Sequence, residues 1–328
     1  MKYKNLVISI FLVFAIGYIF NKFKLNIEKD DKLDELNLIK KYLLNNDDNL
    51  DINNSLNLIK KPILWIHIDY EKNSRNWLSF YSRSTFDYNQ DYIYLTIKSI
   101  IDKCNQDFHI IIIDDDSFKM LLPTWKVDFS KLANPLKTNM RILGIAKLLY
   151  NYGGIYLENS FILFKSLKPI YDKILKDKKL ITAEFKNTSS ESNTVLYMPS
   201  WKFLGCQKNC NLMQQFVQNL EILFSNDFTN NHLVENTINK FLLSCTNNGE
   251  VNYIDGKFIG VKDINNKPIT IDQLVSSNFL DLDLNSYALY IPRDELLKRN
   301  CYNWFVYLKP EEVLQQNTNI SKYLLLAQ

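Results

Sequence analysis

Two groups of acidic side chains in this sequence stand where ligands are often bound. An acidic triplet, Asp114 to Asp116, follows the apolar run from Phe108 to Ile113, and Glu158 follows the short run from Ile155 to Leu157. Both runs are typical of buried strands. Open α/β sheets present side chains to a ligand at the carboxyl ends of their strands. Asp115 and Glu158 are therefore our first candidates for catalytic residues.

Each group also has an ordinary structural explanation. The triplet is followed by serine, a common start of a helix, and residues 118–122 have a helical pattern. Glu158 is also compatible with a solvated turn between two core strands. Because spacing alone does not separate these interpretations, both stay open at this point.

The element before Glu158 is predicted to be a helix that ends at a glycine pair. In Met140 to Leu149 the apolar residues recur at helical spacing, with Arg141 and Lys147 on the polar side. Gly153 and Gly154 follow. The chain has only 8 glycines in 328 residues, well below the ordinary usage of roughly 7%. A doubled glycine therefore indicates a backbone constraint, because glycine takes the positive φ that a helix C-cap needs.

The surrounding pattern predicts an α/β fold. Ile63 to Ile68 and Phe108 to Ile113 are short apolar runs, and Tyr92 to Cys104 between them has helical periodicity. Four consecutive isoleucines in the second run indicate a strand buried on both faces, as in parallel sheets. Leu180 to Phe185 and Val195 to Met198 are predicted to be further strands. We expect a mixed, mostly parallel sheet flanked by helices.

Two later stretches are predicted to be turns. Trp201 to Asn211 is expected to be a turn before an amphipathic helix, and Asp255-Gly256 between two short apolar segments is typical of a hairpin. Cys206 and Cys210 have the spacing of a metal-ligand pair. No second pair or histidine accompanies them, so zinc is not expected. A disulfide between them is an open interpretation if the domain is lumenal.

The segment YNYGGIYLENS, Tyr150 to Ser160, resembles the signature of glycosyltransferase family 32, the group with a sugar-binding Asp-x-Asp motif that includes capsular-polysaccharide and mannosyl transferases. In that family a helix ends in Tyr-x-Tyr-Gly-Gly, and an aliphatic strand and Asp-x-Asp follow. Tyr150, Tyr152, the glycine pair and Ile155 to Leu157 match. The resemblance covers Pro62 to Pro169 and implies the GT-A fold of nucleotide-sugar transferases.

The metal-binding part of that signature is degenerate in this chain. Glu158 stands at the first Asp position and Ser160 at the second, while Arg141, Ile142 and Ile145 replace the Ser, Asp and Arg expected upstream. In the family, the paired carboxylates hold a divalent cation that neutralises the diphosphate of a nucleotide sugar. A single carboxylate with neutral oxygen neighbours would bind Mn²⁺ or Mg²⁺ weakly or not at all.

A second carboxylate would restore such a metal site. If Glu158 binds a cation, the triplet Asp114 to Asp116 is its most available partner. The carboxylates would then lie within roughly 5 Å, since ligand bonds to such ions are about 2.0–2.6 Å long. Glu158 is therefore also the candidate metal ligand.

The resemblance also implies a set of donor-binding residues. The family's opening strand, here Ile63 to Ile68, ends against the nucleotide, and Tyr156 with the glycine pair would shape the sugar pocket. For His67, a hydrogen-bonded core histidine is the other interpretation. The full predicted set is His67, Asp69, Asp114, Asp116, Arg141, Gly153, Gly154, Tyr156, Asn159 and Ser160.

Composition excludes several other classes of function. The chain has 39 Lys and Arg against 36 Asp and Glu, so it lacks the dominant basic surface expected of a nucleic-acid-binding protein. Its apolar fraction of 46% is enough for a sizeable core. The sequence contains no Gly-rich phosphate loop, GxSxG elbow or HExxH motif.

The N-terminal region is predicted to be a membrane anchor followed by a stem. Asn5 to Asn21 is almost wholly apolar, uncharged and flanked by lysines, and no small-x-small cleavage site follows it. A signal-anchor helix over residues 1–22 is favoured over a cleaved signal or a buried helix. The charge-rich residues 23–60 fit a solvated stem, and 61–328 form the transferase-like domain. By analogy with sugar transferases, we expect a single-pass type II protein with this domain lumenal or extracytoplasmic.

Two functions are compatible with these observations. The first is a membrane-anchored hexosyltransferase that moves a hexose from a nucleotide sugar to a glycan or glycoconjugate. The second is a catalytically inactive relative that binds glycans or a partner protein. Retention of Glu158 and the glycine turn favours the enzyme, whereas Ile142, Ile145 and Ser160 favour the inactive module.

Overall fold

The computed structural model of the chain describes residues 42–44, 61–69, 90–188, 195–225 and 231–328, without the side chains of residues 231–233 and 303. The chain divides into two compact units, Met1–Asn46 and Asp47–Gln328, and the fold below belongs to the second. The predicted anchor and nearly all of the predicted stem lie outside the described residues. Among the residues that are described, no helix combines the length and the apolar content needed to cross a membrane.

The second unit alternates strands and helices along most of its described length. Its strands are β1 (Ile63–His67), β2 (His109–Ile113), β3 (Gly154–Leu157), β4 (Phe161–Leu163), β5 (Leu180–Lys186), β6 (Tyr197–Cys206), β7 (Val251–Ile254) and β8 (Ala288–Tyr290). Its helices are α1 (Tyr92–Cys104), α2 (Ser117–Leu121), α3 (Leu136–Tyr152), α4 (Lys168–Asp177), α5 (Asn211–Ser225), α6 (Asn231–Asn247), α7 (Ile271–Val275), α8 (Arg293–Lys298), α9 (Asn303–Val306), α10 (Pro310–Gln315) and α11 (Asn319–Ala327). Short 3₁₀ turns lie at Phe129–Lys131, Gly256–Ile259 and Asn300–Tyr302.

Six of these strands form one sheet in the order β2-β1-β3-β6-β5-β7. β1 is parallel to β2 and β3, and β5 is parallel to β7, whereas β6 is antiparallel to both of its neighbours. Five strands therefore run in one direction and β6 runs against them. This mixed, mostly parallel sheet with its flanking helices confirms the predicted α/β class.

The first two strands have the buried, apolar character that the sequence predicted. β1 pairs with β2 from Ile63 opposite His109 to His67 opposite Ile113. Every residue of β1 is buried, as are the four isoleucines of β2. Since β1, β2 and β3 are parallel, their carboxyl ends share one edge of the sheet. The acidic residues that follow these strands are thereby brought to the same side of the molecule.

The glycine pair is a backbone constraint, as its rarity in the sequence indicated. Gly153 ends α3 with φ +72°, and Gly154 opens β3 with φ +103°. A Cβ on Gly154 would lie 2.2 Å from the carbonyl oxygen of Ile63 in β1, too close for any side chain. The pair thus turns the chain sharply from helix to strand and allows β3 to lie against β1, which fixes the position of Glu158.

A second, two-stranded sheet brings the C-terminal part of the chain to the same edge. β4 pairs antiparallel with β8, with Phe161 opposite Tyr290. The amide of Ile291 extends this pairing by donating to the carbonyl oxygen of Ser160 at 3.0 Å. The start of α8 at Arg293 is therefore held next to the turn that carries Glu158.

One predicted turn is correct only over residues 207–210, directly before α5, and the other is wrong. Residues up to Cys206 belong to the ten-residue strand β6 instead of a turn, because Trp201 to Cys206 continue the ladder with β3 and β5. Asp255-Gly256 does not form a hairpin. Instead, β7 pairs in parallel with β5, and a 3₁₀ turn follows it.

Candidate functional site

A cavity of about 340 Å³ lies at the carboxyl ends of β1 and β3, and we call it the strand-end cavity. Its other walls come from α3, the middle of β6, α6 and α8. Six of the predicted site residues line it: His67, Asp69, Arg141, Tyr156, Glu158 and Asn159. The predicted convergence of these residues on one cleft is therefore found in the structure.

Beside this cavity, Asp115 and Arg141 form a bidentate ion pair. The Nε and Nη2 groups of Arg141 each donate to a different Asp115 oxygen at 2.8 Å. His67 Nε2 lies 3.1 Å from Asp115 Oδ1, and Lys137 Nζ lies 3.5 Å from Oδ2. Such forked, charge-assisted pairs are strong and geometrically specific. Asp115 therefore positions Arg141 and His67, and it does not itself line the cavity.

His67 matches both interpretations that the sequence left open. It is buried and its ring stacks on Phe118, with ring centroids 5.7 Å apart. This is the environment of a hydrogen-bonded core histidine. One edge of the residue nevertheless borders the strand-end cavity.

A second bidentate pair joins the first strand to the C-terminal part of the chain. Arg293 donates from Nη1 and Nη2 to the two oxygens of Asp69 at 2.7 and 2.6 Å. Arg293 Nη1 also donates to Asn159 Oδ1 at 3.1 Å, and Asn159 donates to the carbonyl oxygen of His67 at 3.0 Å. Arg141 Nη1 lies 3.6 Å from Asp69 Oδ2. Asp69 thus connects the two arginines in one network.

Glu158 lies at the same place but is held much more loosely. It is 6% exposed, and its Oε1 is 3.7 Å from Arg293 Nε while its Oε2 is 4.0 Å from Lys202 Nζ. Both distances exceed a hydrogen bond. Within the described part of the chain, Glu158 Oε2 and Arg293 Nε have no hydrogen-bond partner. Lys202 itself donates to the Tyr290 hydroxyl at 3.1 Å.

The acidic groups of the site differ in how burial affects their protonation. Burial raises the pKa of Glu158 above its usual range, against the opposing effect of Lys202 and Arg293. For Asp69, burial acts in the same direction, but Arg293 more than offsets it and holds the pKa well below its usual range. Hydrogen bonds from His67 and Arg141 likewise outweigh burial and lower the pKa of Asp115. Well-bonded carboxylates therefore stay charged, and Glu158 is the one closest to neutrality.

The remaining members of the acidic triplet have structural roles outside the cavity. Asp114 Oδ1 accepts from the backbone amide of Ser117 at 2.9 Å and from its hydroxyl at 2.7 Å, which caps the start of α2. Asp116 is solvent-exposed and lies 3.9 Å from Lys119. The expectation that they bind a donor is therefore not supported by their positions, and helix capping explains Asp114.

Three further predicted residues also lie away from the cavity lining. Gly153 and Gly154 shape the turn between α3 and β3, and the carbonyl oxygen of Gly153 accepts from Trp65 Nε1 at 2.9 Å. Ser160 is fully buried between β3 and β4. These three residues position Glu158 through the backbone instead of contacting a ligand in the cavity.

Trp201, Lys202 and Arg293 are among the lining residues of the cavity that were not predicted from the sequence. Trp201 stacks on Tyr156, with ring centroids 6.1 Å apart and an interplanar angle of 13°. Trp201 and Lys202 lie in β6, in the part predicted to be a turn. A lysine within an apolar strand-like stretch was the available signal. No sequence signal pointed to Arg293, because it lies 224 positions from its partner Asp69 in the chain.

The residues at the cavity do not fit a divalent cation. Such an ion needs several converging oxygen ligands, whereas the charged groups nearest to Glu158 are the cations Lys202 and Arg293. Asp69 and Asp115 are each held by an arginine fork. Across the described ranges, no three His, Cys, Asp or Glu residues are grouped so that they could hold a metal ion. The predicted pairing of Glu158 with the acidic triplet is therefore not formed.

A second cavity of about 370 Å³ adjoins the first. The two share Lys202, Glu235, Asp294 and Lys298 as lining residues. The second cavity extends from these residues toward β5 and α7 and includes the ring of Tyr290. A ligand in one cavity would therefore lie next to a ligand in the other.

Cys206 and Cys210 are free thiols in the structure. Cys206 is buried, and Cys210 lies just before α5. A hydrogen bond from Cys206, together with the amides of Met213 and Leu212, lowers the pKa of Cys210 to about 6. The disulfide that the sequence left open is not formed here.

No protein family model matches this sequence, and no curated protein matches it. Among solved structures, the galactosyltransferase LgtC in complex with donor and acceptor sugar analogs aligns with 81% of this chain and 95% of its own, at 13% identity and a TM-score of 0.41. The PaToxG glycosyltransferase aligns with 56% of this chain and 69% of its own, at 12% identity and a TM-score of 0.31.

The bifunctional IspDF from Campylobacter jejuni aligns with 67% of this chain, at 11% identity and a TM-score of 0.33. The alignment spans 55% of IspDF. Two of these three neighbours are glycosyltransferases. Because one fold hosts many activities, function has to be argued from the residues of the site itself.

Proposed function

We propose that this chain is a glycosyltransferase that moves a hexose from a nucleotide sugar to a glycan or glycoconjugate. The observation that carries the proposal is the position of Glu158. The tyrosine-flanked glycine pair, which resembles the family 32 signature, turns the chain so that this carboxylate borders a cavity at the ligand edge of the sheet. The structural alternative, a solvated turn residue, does not apply because Glu158 is buried.

The strand-end cavity has the size and chemistry that a sugar donor requires. Its volume of about 340 Å³ is within the usual range of ligand sites, roughly 300–1,000 Å³. The stacked Tyr156 and Trp201 offer apolar surface, and Asn159, Arg141 and Lys202 add donors for hydroxyl and phosphate oxygens. The acceptor would then bind in the adjoining cavity, beyond Lys202.

The proposal includes the predicted type II membrane anchor over residues 1–22. Its support is the uncharged apolar run from Asn5 to Asn21 with lysines on both sides. Such an anchor would keep the domain next to membrane-bound or exported glycans. Fractionation of cells that express the chain with and without residues 1–22 tests it. The full chain is expected in the membrane fraction, and the shortened chain in the soluble one.

Calorimetric titration with a panel of UDP- and GDP-hexoses tests the central claim. At least one of them should release binding heat, and release of UDP or GDP should follow when a glycan acceptor is supplied. Glu158→Ala should weaken binding of the donor and abolish release of the nucleoside diphosphate. Glu221→Ala is the matched control, since Glu221 is a half-exposed glutamate on α5 that pairs with Lys147. Silence of the wild-type chain across the whole panel would contradict the proposal.

A second candidate function is a catalytically inactive module that binds glycans. The observation in its favour is the absence of a metal-ligand group from the described residues, together with Lys202 and Arg293 on either side of Glu158. A glycan array separates the two functions. Glycan binding without release of a nucleoside diphosphate from any donor would identify the module.

A further inference from the structure

Glu158 and Arg293 line the strand-end cavity, and each has one buried polar atom that lacks a hydrogen-bond partner among the described residues. These two atoms are Glu158 Oε2 and Arg293 Nε. Buried polar groups in native proteins are almost always hydrogen-bonded. Unpaired groups of opposite charge on two residues that line one cavity therefore indicate a place where a ligand completes the bonding.

The spacing of the Glu158 carboxylate and the Arg293 guanidinium leaves room for a single bridging hydroxyl. Glu158 Oε1 lies 3.7 Å from Arg293 Nε, and Oε2 lies 4.0 Å from Lys202 Nζ. For two polar groups more than about 3.5 Å apart, a bridging water or hydroxyl has to be considered. A hydroxyl oxygen that makes a bond of about 2.8 Å on each side spans up to about 5.6 Å. It can donate its proton to the carboxylate and accept from the Nε–H of the guanidinium.

We propose that Glu158 and Arg293 together bind one hydroxyl group of the hexose directly, with no divalent cation between the carboxylate and the ligand. This inference rests on the proposed function, because it assigns the donor sugar to the strand-end cavity. Glu158 thereby has the role of a sugar-binding residue in place of the metal ligand that the family signature would have there.

The arrangement around these two residues is built for direct binding. Arg293 is already fixed by its fork to Asp69 and by Asn159, so its remaining Nε–H has a defined direction. Lys202 is held by the Tyr290 hydroxyl and supplies the positive charge that compensates Glu158. A cation at the Glu158 carboxylate would instead have to lie between two positively charged side chains, at a cost in repulsion.

Titration of the wild-type chain tests the inference without any variant. Each UDP- or GDP-hexose is compared with UDP or GDP alone, once in EDTA and once with Mn²⁺. The matching hexose donor should bind about 10-fold or more tightly than its nucleoside diphosphate, since it adds a hydrogen bond to a charged group. Its affinity should be the same in EDTA and in Mn²⁺.

Two results would overturn this inference while leaving the proposed function intact. One is donor binding that appears only with Mn²⁺, and the other is equal affinity for the donor and its nucleoside diphosphate. If the wild-type chain binds no nucleotide sugar in either condition, this result contradicts both the inference and the proposed function.

A substitution of Glu158 tests whether its carboxylate is the group that binds the sugar hydroxyl. In Glu158→Gln, the hexose donor should lose about 10-fold in affinity, while UDP or GDP alone should bind as it does to the wild type. The nucleoside diphosphate thus checks that the variant is folded. Glu221→Gln should change neither affinity. Equal losses for the donor and the nucleoside diphosphate would show that Glu158 acts on the fold and would overturn the inference.

Discussion

Two glutamates of this domain, the largely buried Glu184 and the buried Glu158, are bonded in contrasting ways. Glu184 Oε2 accepts from the backbone amide of Gly256 at 2.8 Å and forms a close ion pair with buried Lys262. Lys262 also lies 3.2 Å from Asp255. Glu158 has charged neighbours only at 3.7 and 4.0 Å, and its Oε2 lacks a hydrogen-bond partner within the described residues.

The contrast separates a carboxylate that stabilises the fold from one that is available to a ligand. Glu184 in β5 joins the strand to the 3₁₀ turn after β7, and it lines neither of the two adjoining cavities. Glu158 borders a cavity and keeps unused bonding capacity there. Burial alone therefore does not single out a candidate functional residue in this protein, whereas burial with unsatisfied bonding in a cavity-lining residue does.

The comparison predicts its largest effect at Glu184. Glu184→Ala leaves Lys262 buried with the half-exposed Asp255 and the face of the Tyr197 ring as remaining partners. Removing one partner of a buried pair typically costs about 3–5 kcal/mol, and we expect the free energy of unfolding to fall by that amount. Urea unfolding followed by tryptophan fluorescence measures it.

The matched control for this experiment is Glu221→Ala. Glu221 pairs with Lys147 at 2.7 Å but is half exposed, so its removal should cost less than about 1 kcal/mol. If Glu184→Ala lowers the free energy of unfolding by no more than Glu221→Ala does, the complete hydrogen bonding of Glu184 does not explain its contribution to stability.

Asp115 extends the comparison to a carboxylate that is fully bonded beside the cavity. Asp115→Asn should lower the free energy of unfolding at pH 7 by about 2 kcal/mol, since it weakens charge-assisted hydrogen bonds to Arg141 and His67. Its lowered pKa in the folded state means that this contribution is present above the ordinary value of 3.8 and is lost as the pH falls below it. Urea unfolding at pH 7 and pH 3 measures both values.

The gap in the free energy of unfolding between wild type and Asp115→Asn should therefore narrow from pH 7 to pH 3. Asp102→Asn, at an exposed position on α1, is the control and should show no gap at either pH. A gap that stays constant with pH would mean that the carboxylate charge of Asp115 is not what the arginine fork stabilises.

The sequence predicted the elements whose patterns are local. Helix α1 was predicted with its observed bounds, Tyr92 to Cys104, because apolar spacing over thirteen residues leaves little ambiguity. The strands β1 and β2 and the constraint at the glycine pair followed from equally local signals. Six cavity residues followed because they stand next to those strand ends.

What the sequence did not predict depends on distant contacts. Lys202 belongs to a strand that is paired on both sides, by β3 and β5, and this pairing overrides its turn-like local composition. Asp255-Gly256 fails as a hairpin because β7 finds a parallel partner in β5 instead. Arg293 enters the site through the pairing of β8 with β4, which no local pattern reveals.

The smallest predicted effect on stability is at Glu158. This prediction is the most direct test of the contrast with Glu184. Glu158→Gln should change the free energy of unfolding at pH 7 by less than about 1 kcal/mol, because no hydrogen bond of Glu158 Oε2 is lost. The raised pKa of Glu158 also predicts the direction in which stability changes with pH. The folded state binds this proton more tightly, so wild-type stability falls as the pH rises above the ordinary value of 4.5.

The stability of Glu158→Gln relative to wild type should therefore increase between pH 4 and pH 7, the opposite of the trend at Asp115. Urea unfolding of both proteins at pH 4, 5.5 and 7 tests this. A loss of 3 kcal/mol or more at pH 7 would place Glu158 with Glu184 among the structural carboxylates. Its loose contacts would then be part of the fold, and the reason to assign it to a ligand would disappear.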